Sequence, residues 1–171
     1  MRPCYRLALD GWFRLLDALT AEIQEATATI DAQCQADPQA QLLRTIPGIG
    51  AYAALLILSE IGDVYRFPDS RHLCSYAGLV PSVHASGGTT RLGRLTKQGS
   101  KWLRRILVET SIHAVNGAPQ FRSLYWRGQR KHGTNTARVA VARAVLKTLY
   151  AMLLKAGQPF EARPRRLAVA G

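Results

Sequence analysis

The chain has 171 residues and a formal net charge of +12, with 23 Lys and Arg against 11 Asp and Glu. That length fits one domain plus an appendage, and a charge of that size points to a polyanionic partner. No apolar run of about 18 residues is present to span a bilayer, and no basic stretch with an apolar core marks a secretory signal. Cys4, Cys34 and Cys74 make no Cys-x-x-Cys pair and no even disulfide framework. A cytoplasmic protein that does not engage membranes is expected.

In chain order, the first element is a long helix. From Trp12 to Cys34 the apolar positions are Trp12, Leu16, Leu19, Ile23, Ala26, Ile30 and Cys34, in steps of three or four over about three heptads. Two roles stay open: a coiled-coil arm that pairs with a second copy, or a helix packed on its own domain. Ala36-Asp37-Pro38 ends it, so residues 1–38 read as a helical arm. A compact helical domain is expected over 39–157, and a disordered tail over 158–171.

The segment 42–61 has the pattern of a helix-hairpin-helix. An apolar helix leads into Pro47-Gly48-Ile49-Gly50, and Ala51, Ala53 and Ala54 let the next helix pack closely. Gly48 and Gly50 would permit backbone angles closed to other residues. Such a turn presents backbone N–H groups of Gly48, Ile49 and Gly50 to a phosphate oxygen without reading sequence. Ile46 and Ile49 are expected to plug the core beneath it. Glu60-Ile61-Gly62-Asp63 ends the second helix, and Asp69 or Ser70 caps a short helix to Tyr76, stopped by Gly78. Glu60, Asp63 and Asp69 read as a helix end and caps rather than metal ligands.

Leu79–Gly99 shows turn residues and no strand period. Ser100 is a good cap for a helix to about Val115, a basic aromatic helix follows over Phe121–Lys131, and a last alanine-rich helix runs over Thr136–Lys155. The aromatics among the cations of Phe121–Lys131 read as core more readily than as base-stacking groups. The fold class expected is all-α.

Charge is segregated along the chain. Up to Asp69 there are five Lys and Arg against nine Asp and Glu; after it, eighteen against two. Residues 86–105 combine a glycine-rich hydroxyl loop with Arg91, Arg94, Lys97, Lys101, Arg104 and Arg105 and contain no carboxylate. Close backbone approach, hydroxyls and cations at helical spacing are what phosphate binding requires, so DNA or RNA is the expected partner of this stretch.

The order of parts is recognisable: Pro47-Gly48-Ile49-Gly50, Glu60-Ile61-Gly62-Asp63, Arg66-Phe67, Tyr76-Ala77-Gly78-Leu79-Val80-Pro81, Ala85-Ser86-Gly87-Gly88, Leu95-Thr96-Lys97-Gln98-Gly99-Ser100 and Leu103-Arg104-Arg105. Over roughly Leu42 to Lys155 this resembles the C-terminal domain of the DEDD-type transposases of bacterial insertion sequences, the group often called "IS one-ten". The resemblance implies a C-terminal domain that supplies a serine nucleophile and works with an N-terminal RuvC-like domain bearing an Asp-Glu-Asp-Asp metal site. It further implies DNA as substrate, a structured guide RNA as a further partner, and the heptad arm as a linker between domains. Carried onto this chain, Ser86 is the candidate nucleophile, with Arg91, Arg94 and Lys97 nearest to stabilise charge on the phosphate. Ser82 and Ser100 rank below it.

Only the arm, a few dozen residues, precedes the compact domain, so the RuvC-like domain is expected to be missing. No cofactor is expected in this chain, and Mg2+ is expected only with that domain. Strand transfer is therefore expected to need a RuvC-like domain in trans, with self-association through the arm. The alternative is a non-catalytic nucleic-acid-binding module or a truncated remnant.

Overall fold

The computed structural model describes residues 3–86, 89–96, 98–154 and 158–162. Helices α1 (Pro3–Ala36), α2 (Pro38–Arg44) and α3 (Ala51–Ile61) come first, then a 3-10 turn at Val64–Arg66 and α4 (Ser70–Tyr76). A two-stranded antiparallel ribbon follows, β1 (Pro81–Ser86) and β2 (Thr89–Leu95), and then α5 (Lys101–Gly117), α6 (Pro119–His132) and α7 (Thr134–Leu154). The class is all-α, as expected, with one ribbon that the sequence pattern did not disclose. No helix among the described residues is long and apolar enough to cross a membrane.

The helix boundaries follow local chemistry. Asp37 caps α2 by accepting the N–H groups of Gln39 and Ala40, with Pro38 inside the first turn, where a missing N–H costs nothing. Asp63 caps the 3-10 turn through the Tyr65 N–H, and Asp69 caps α4 through Arg71 and His72. Gly62, at φ 58°, and Gly78, at φ 64°, end α3 and α4 in the left-handed region. Arg122 closes the far end of α5 by donating to the carbonyls of Val115 and Asn116.

Helix α7 runs through the middle of the domain against α2, α4, α5 and α6. Its Val141, Val145, Leu146 and Leu149 belong with Leu43, Ile57, Leu73, Leu103 and Leu107 to one fully buried core cluster. Each such aliphatic side chain contributes about 1.5–3 kcal/mol when removed from water. The Tyr150 hydroxyl donates to the Phe67 carbonyl at 2.8 Å inside this core, so its polar end is satisfied.

Helix α1 begins earlier than its heptad seam, with Gly11 inside it. At 1.5 Å per residue it is roughly 50 Å long. Only its last turns join the domain: Cys34 is buried and α1 touches α2 and α3. The seam residues Trp12, Leu16, Leu19 and Ile23 are 64%, 55%, 54% and 57% exposed. Of the two roles open to the arm, packing on its own domain is not the one adopted.

Of the segment 158–171, residues 158–162 are described. Phe160 stacks on Phe121 at 5.7 Å between ring centroids, and its N–H donates to Thr45 Oγ1 at 2.9 Å. A partly buried aromatic ring outweighs the entropy of ordering so short a segment. Lys155–Gly157 and residues 163–171 lie outside the described residues.

Candidate functional site

Ser86 is the last residue of β1, and its ladder partner is Thr89. His84 pairs with Arg91, Ala85 with Thr90, and Val83 with Leu92. The register shifts between Val83 and Pro81, whose partner is Leu95. Gly93 and Arg94 therefore oppose Ser82 alone, which is a β-bulge. Directly opposed residues, and residues two apart on one strand, share a face of an antiparallel ribbon. Ser86, His84, Thr89 and Arg91 thus belong to one face, at the end of the ribbon away from the domain. For Ser86, His84, Thr89, Arg91 and Arg94 only the backbone is described; Lys97, Gly87 and Gly88 lie outside the described residues.

The base of the ribbon is tied to the domain by four contacts. The Thr96 N–H donates to the Val80 carbonyl and the Ser100 N–H to the Tyr76 carbonyl, both at 3.0 Å. Gly99 sits at φ +104°, where any Cβ would collide with the Tyr76 carbonyl. Ser100 Oγ donates to Glu60 Oε2 at 2.6 Å while accepting the Leu103 N–H at 3.0 Å. Ser100 is thus the cap of α5 and a link to α3, which accounts for its hydroxyl. The Arg66 guanidinium lies 4.6 Å from the Phe67 ring centroid and 4.7 Å from that of Tyr76, and donates to the Glu60 carbonyl. The Arg66-Phe67 pair therefore steadies Tyr76 and Glu60, the two residues that hold Ser100.

Helices α3 and α5 lie antiparallel. Gly48, just before α3, approaches His113 and Thr110, while Glu60, at the end of α3, meets Ser100. The glycine turn before α3 and the basic start of α5 are consequently at opposite ends of α3, about 15 Å apart for ten residues of helix. Nearness in sequence did not show this separation.

The three residues of the turn before α3 differ. Gly48, at φ +89°, permits close packing, since a Cβ there would lie 2.6 Å from that of His113. Gly50 is exposed at φ −84°, which any residue adopts, so the expectation of a glycine-only angle there is corrected. As the N-cap of α3 it supplies no side-chain cap to the first-turn N–H groups, and its surroundings are open. Ile49 faces inward. Its side chain is buried and its N–H donates to the Ile46 carbonyl at 3.1 Å, so it serves the core, as expected of a plug.

Of the α5 cations, Lys101 and Arg105 are exposed and Arg104 is half-buried. Helix α5 also carries Trp102, 56% exposed, and α3 carries Tyr52, 54% exposed, two aromatics that the sequence pattern does not mark as a site. The signal available was an aromatic at the second position of each of two helices that begin beside glycine. In α6, Phe121 is buried, as favoured, whereas Trp126 is 52% exposed, edge-on to Tyr125.

Asp69 Oδ1 accepts the N–H groups of Arg71 and His72 and a third bond from His72 Nδ1 at 2.9 Å. Those bonds, chiefly from His72, hold its carboxyl at about 2. Burial pushes the Cys74 thiol up. Among the described residues no three His, Cys, Asp or Glu side chains converge where a metal ion could be held.

A model of the Transposase IS116/IS110/IS902 family matches residues 40–126, from α2 through the ribbon into α6. The chain is 32% identical over 149 residues to the "Insertion element IS110 uncharacterized 43.6 kDa protein" of Streptomyces coelicolor, covering 86% of this chain and 36% of that protein. It is 30% identical over 130 residues to the transposase for insertion sequence element IS1111A of Coxiella burnetii, covering 74% of this chain and 36% of that protein. It is 31% identical over 150 residues to the pilin gene-inverting protein of Moraxella bovis, covering 86% and 46%. The chain spans between about a third and a half of the length of these curated relatives. With half of its residues matched by that family's model, the chain belongs to the IS116/IS110/IS902 transposase family.

Proposed function

We propose that this chain is the DNA-engaging, serine-bearing part of an insertion-sequence transposase. The observation that carries the reading is the ribbon register: Ser86 stands at the outer end of a strand, on one face with His84 and Arg91. Relatives named as transposases and as a pilin gene-inverting protein support a role in DNA rearrangement.

In the proposed step Ser86 Oγ bonds to the phosphorus of a phosphodiester, and the bond from phosphorus to one deoxyribose oxygen breaks. The hydroxyl proton must pass to a base, for which His84, two residues before Ser86 on β1, is the candidate, and the departing sugar oxygen takes up a proton. Arg91 and Arg94 lie along β2 to balance charge on the phosphoryl oxygens. Attack by the hydroxyl of a second strand reverses the step and joins new ends. The uncapped first turn of α3 and the cations Lys101 and Arg105 hold the flanking backbone.

The reaction is a shared one. A RuvC-like domain, with Mg2+ and a structured guide RNA, would complete the machinery, and α1 joins two copies of the chain through its exposed seam. The test is recombination by a complex of this chain with such a domain, guide RNA and element-junction DNA. Ser86→Ala should abolish recombination while leaving DNA affinity unchanged. Unchanged recombination would refute the nucleophile, and binding without any reaction would leave a nucleic-acid-binding module.

A further inference from the structure

We infer that the notch between α3 and α5 is a binding site for a single unpaired nucleobase. The inference rests on the nucleic-acid reading above but adds a ligand class and a location that reading does not contain. Tyr52, Leu56, Trp102, Arg105, Ile106 and Glu109 line a notch of about 220 Å3. That is smaller than the roughly 300–1,000 Å3 of sites for drug-sized ligands and suits one planar ring.

The composition specifies the occupant. Tyr52 and Trp102 are each more than half exposed, whereas Phe67, Phe121 and Tyr150 are buried in the same domain. Aromatic rings on an exposed, basic surface are the platforms on which bases stack without regard to sequence. Leu56 and Ile106 supply an apolar floor. Arg105 is exposed at the rim, able to stack on the ring or pair with its phosphate. Glu109 is the only carboxylate from Ser70 to Phe160. As an acceptor without donors it favours a base edge rich in N–H groups, so cytosine should bind better than thymine.

Position supports the same occupant. The notch lies along α3 and α5, between the uncapped start of α3 and the Glu60–Ser100 end where the ribbon is rooted. A strand held at both ends would pass over it, and a base freed from pairing during exchange would fall within reach of Trp102.

Replacing Trp12 and Trp126 by Phe leaves Trp102 as the sole tryptophan of the three. Both replaced residues are exposed, so the core is untouched. This protein is titrated at low salt with single-stranded oligocytidylate, oligothymidylate and an abasic strand of equal length and charge. The cytidylate strand should quench Trp102 emission and bind about tenfold more tightly than the abasic strand. Trp102→Ala or Tyr52→Ala, in the otherwise natural chain, should remove that advantage, and Glu109→Gln should narrow the gap between cytidylate and thymidylate.

Equal binding of the abasic strand with unchanged Trp102 emission would overturn the notch and leave the nucleic-acid reading standing. Failure to bind any strand at low salt would overturn both. Emission that shifts with protein concentration and not with nucleic acid would assign the notch to a protein contact, again overturning the inference.

Discussion

Ser100 Oγ donates to Glu60 Oε2 at 2.6 Å, joining the last turn of α3 to the first turn of α5. The same oxygen accepts the Leu103 N–H, so one hydroxyl closes a helix end and bridges two helices. This link stands where the ribbon re-enters the domain.

Ser100→Ala should lower folding stability by about 1–2 kcal/mol, since it removes a cap and leaves the Glu60 carboxylate without its donor. Urea denaturation measures this. Ser100→Asn, which keeps a capping oxygen, should recover about half of the loss. If both variants match the natural chain, the bridge does not contribute to the fold.

Asp69 predicts an acid limb of stability. Its folded pKa, about 2, lies below the ordinary 3.8 because His72 and Arg71 donate to the ionised form. The contribution is therefore complete above the unfolded value and is lost as pH falls through about 2. Asp69→Asn, which still caps, should flatten the decline between those values in urea denaturation across that pH range. An identical slope in both proteins would remove Asp69 from the account.

The helices and caps were legible because their chemistry is local. Asp69, Ser100, Gly62 and Gly78 stand where backbone groups need a partner or a left-handed angle, and the structure uses each so. The ribbon was not legible. A two-stranded ribbon rooted at one end has no face that must be apolar, and the bulge at Gly93 and Arg94 breaks the period of two. His84 was missed for the same reason, since only the register brings it to the face of Ser86. Nor did the sequence separate Gly48 from Gly50, because the need for glycine at Gly48 arises from His113, distant in the chain.

The arm is the next test. Leu16 and Ile23 lie on an exposed seam, so the natural chain should self-associate in sedimentation equilibrium. Leu16→Glu with Ile23→Glu should give a monomer whose melting temperature at the domain transition is unchanged within about 2 °C. A natural chain that stays monomeric at all concentrations would deny the arm a pairing role.

Phe160 anchors the segment after α7. Phe160→Ala removes the stack on Phe121, and the expected loss is about 1–2 kcal/mol by denaturation, below that of a fully buried phenylalanine. No loss would mean that the segment adds nothing to the domain.

The most direct test of the account is covalent capture at Ser86. The chain is incubated with element-junction DNA, guide RNA, Mg2+ and a RuvC-like domain, denatured, digested and analysed by mass spectrometry. A nucleotide joined through phosphate to the peptide bearing Ser86, absent in Ser86→Ala and reduced at least about a hundredfold in His84→Ala, is the predicted result. An adduct on another serine, or one that persists in Ser86→Ala, would contradict it.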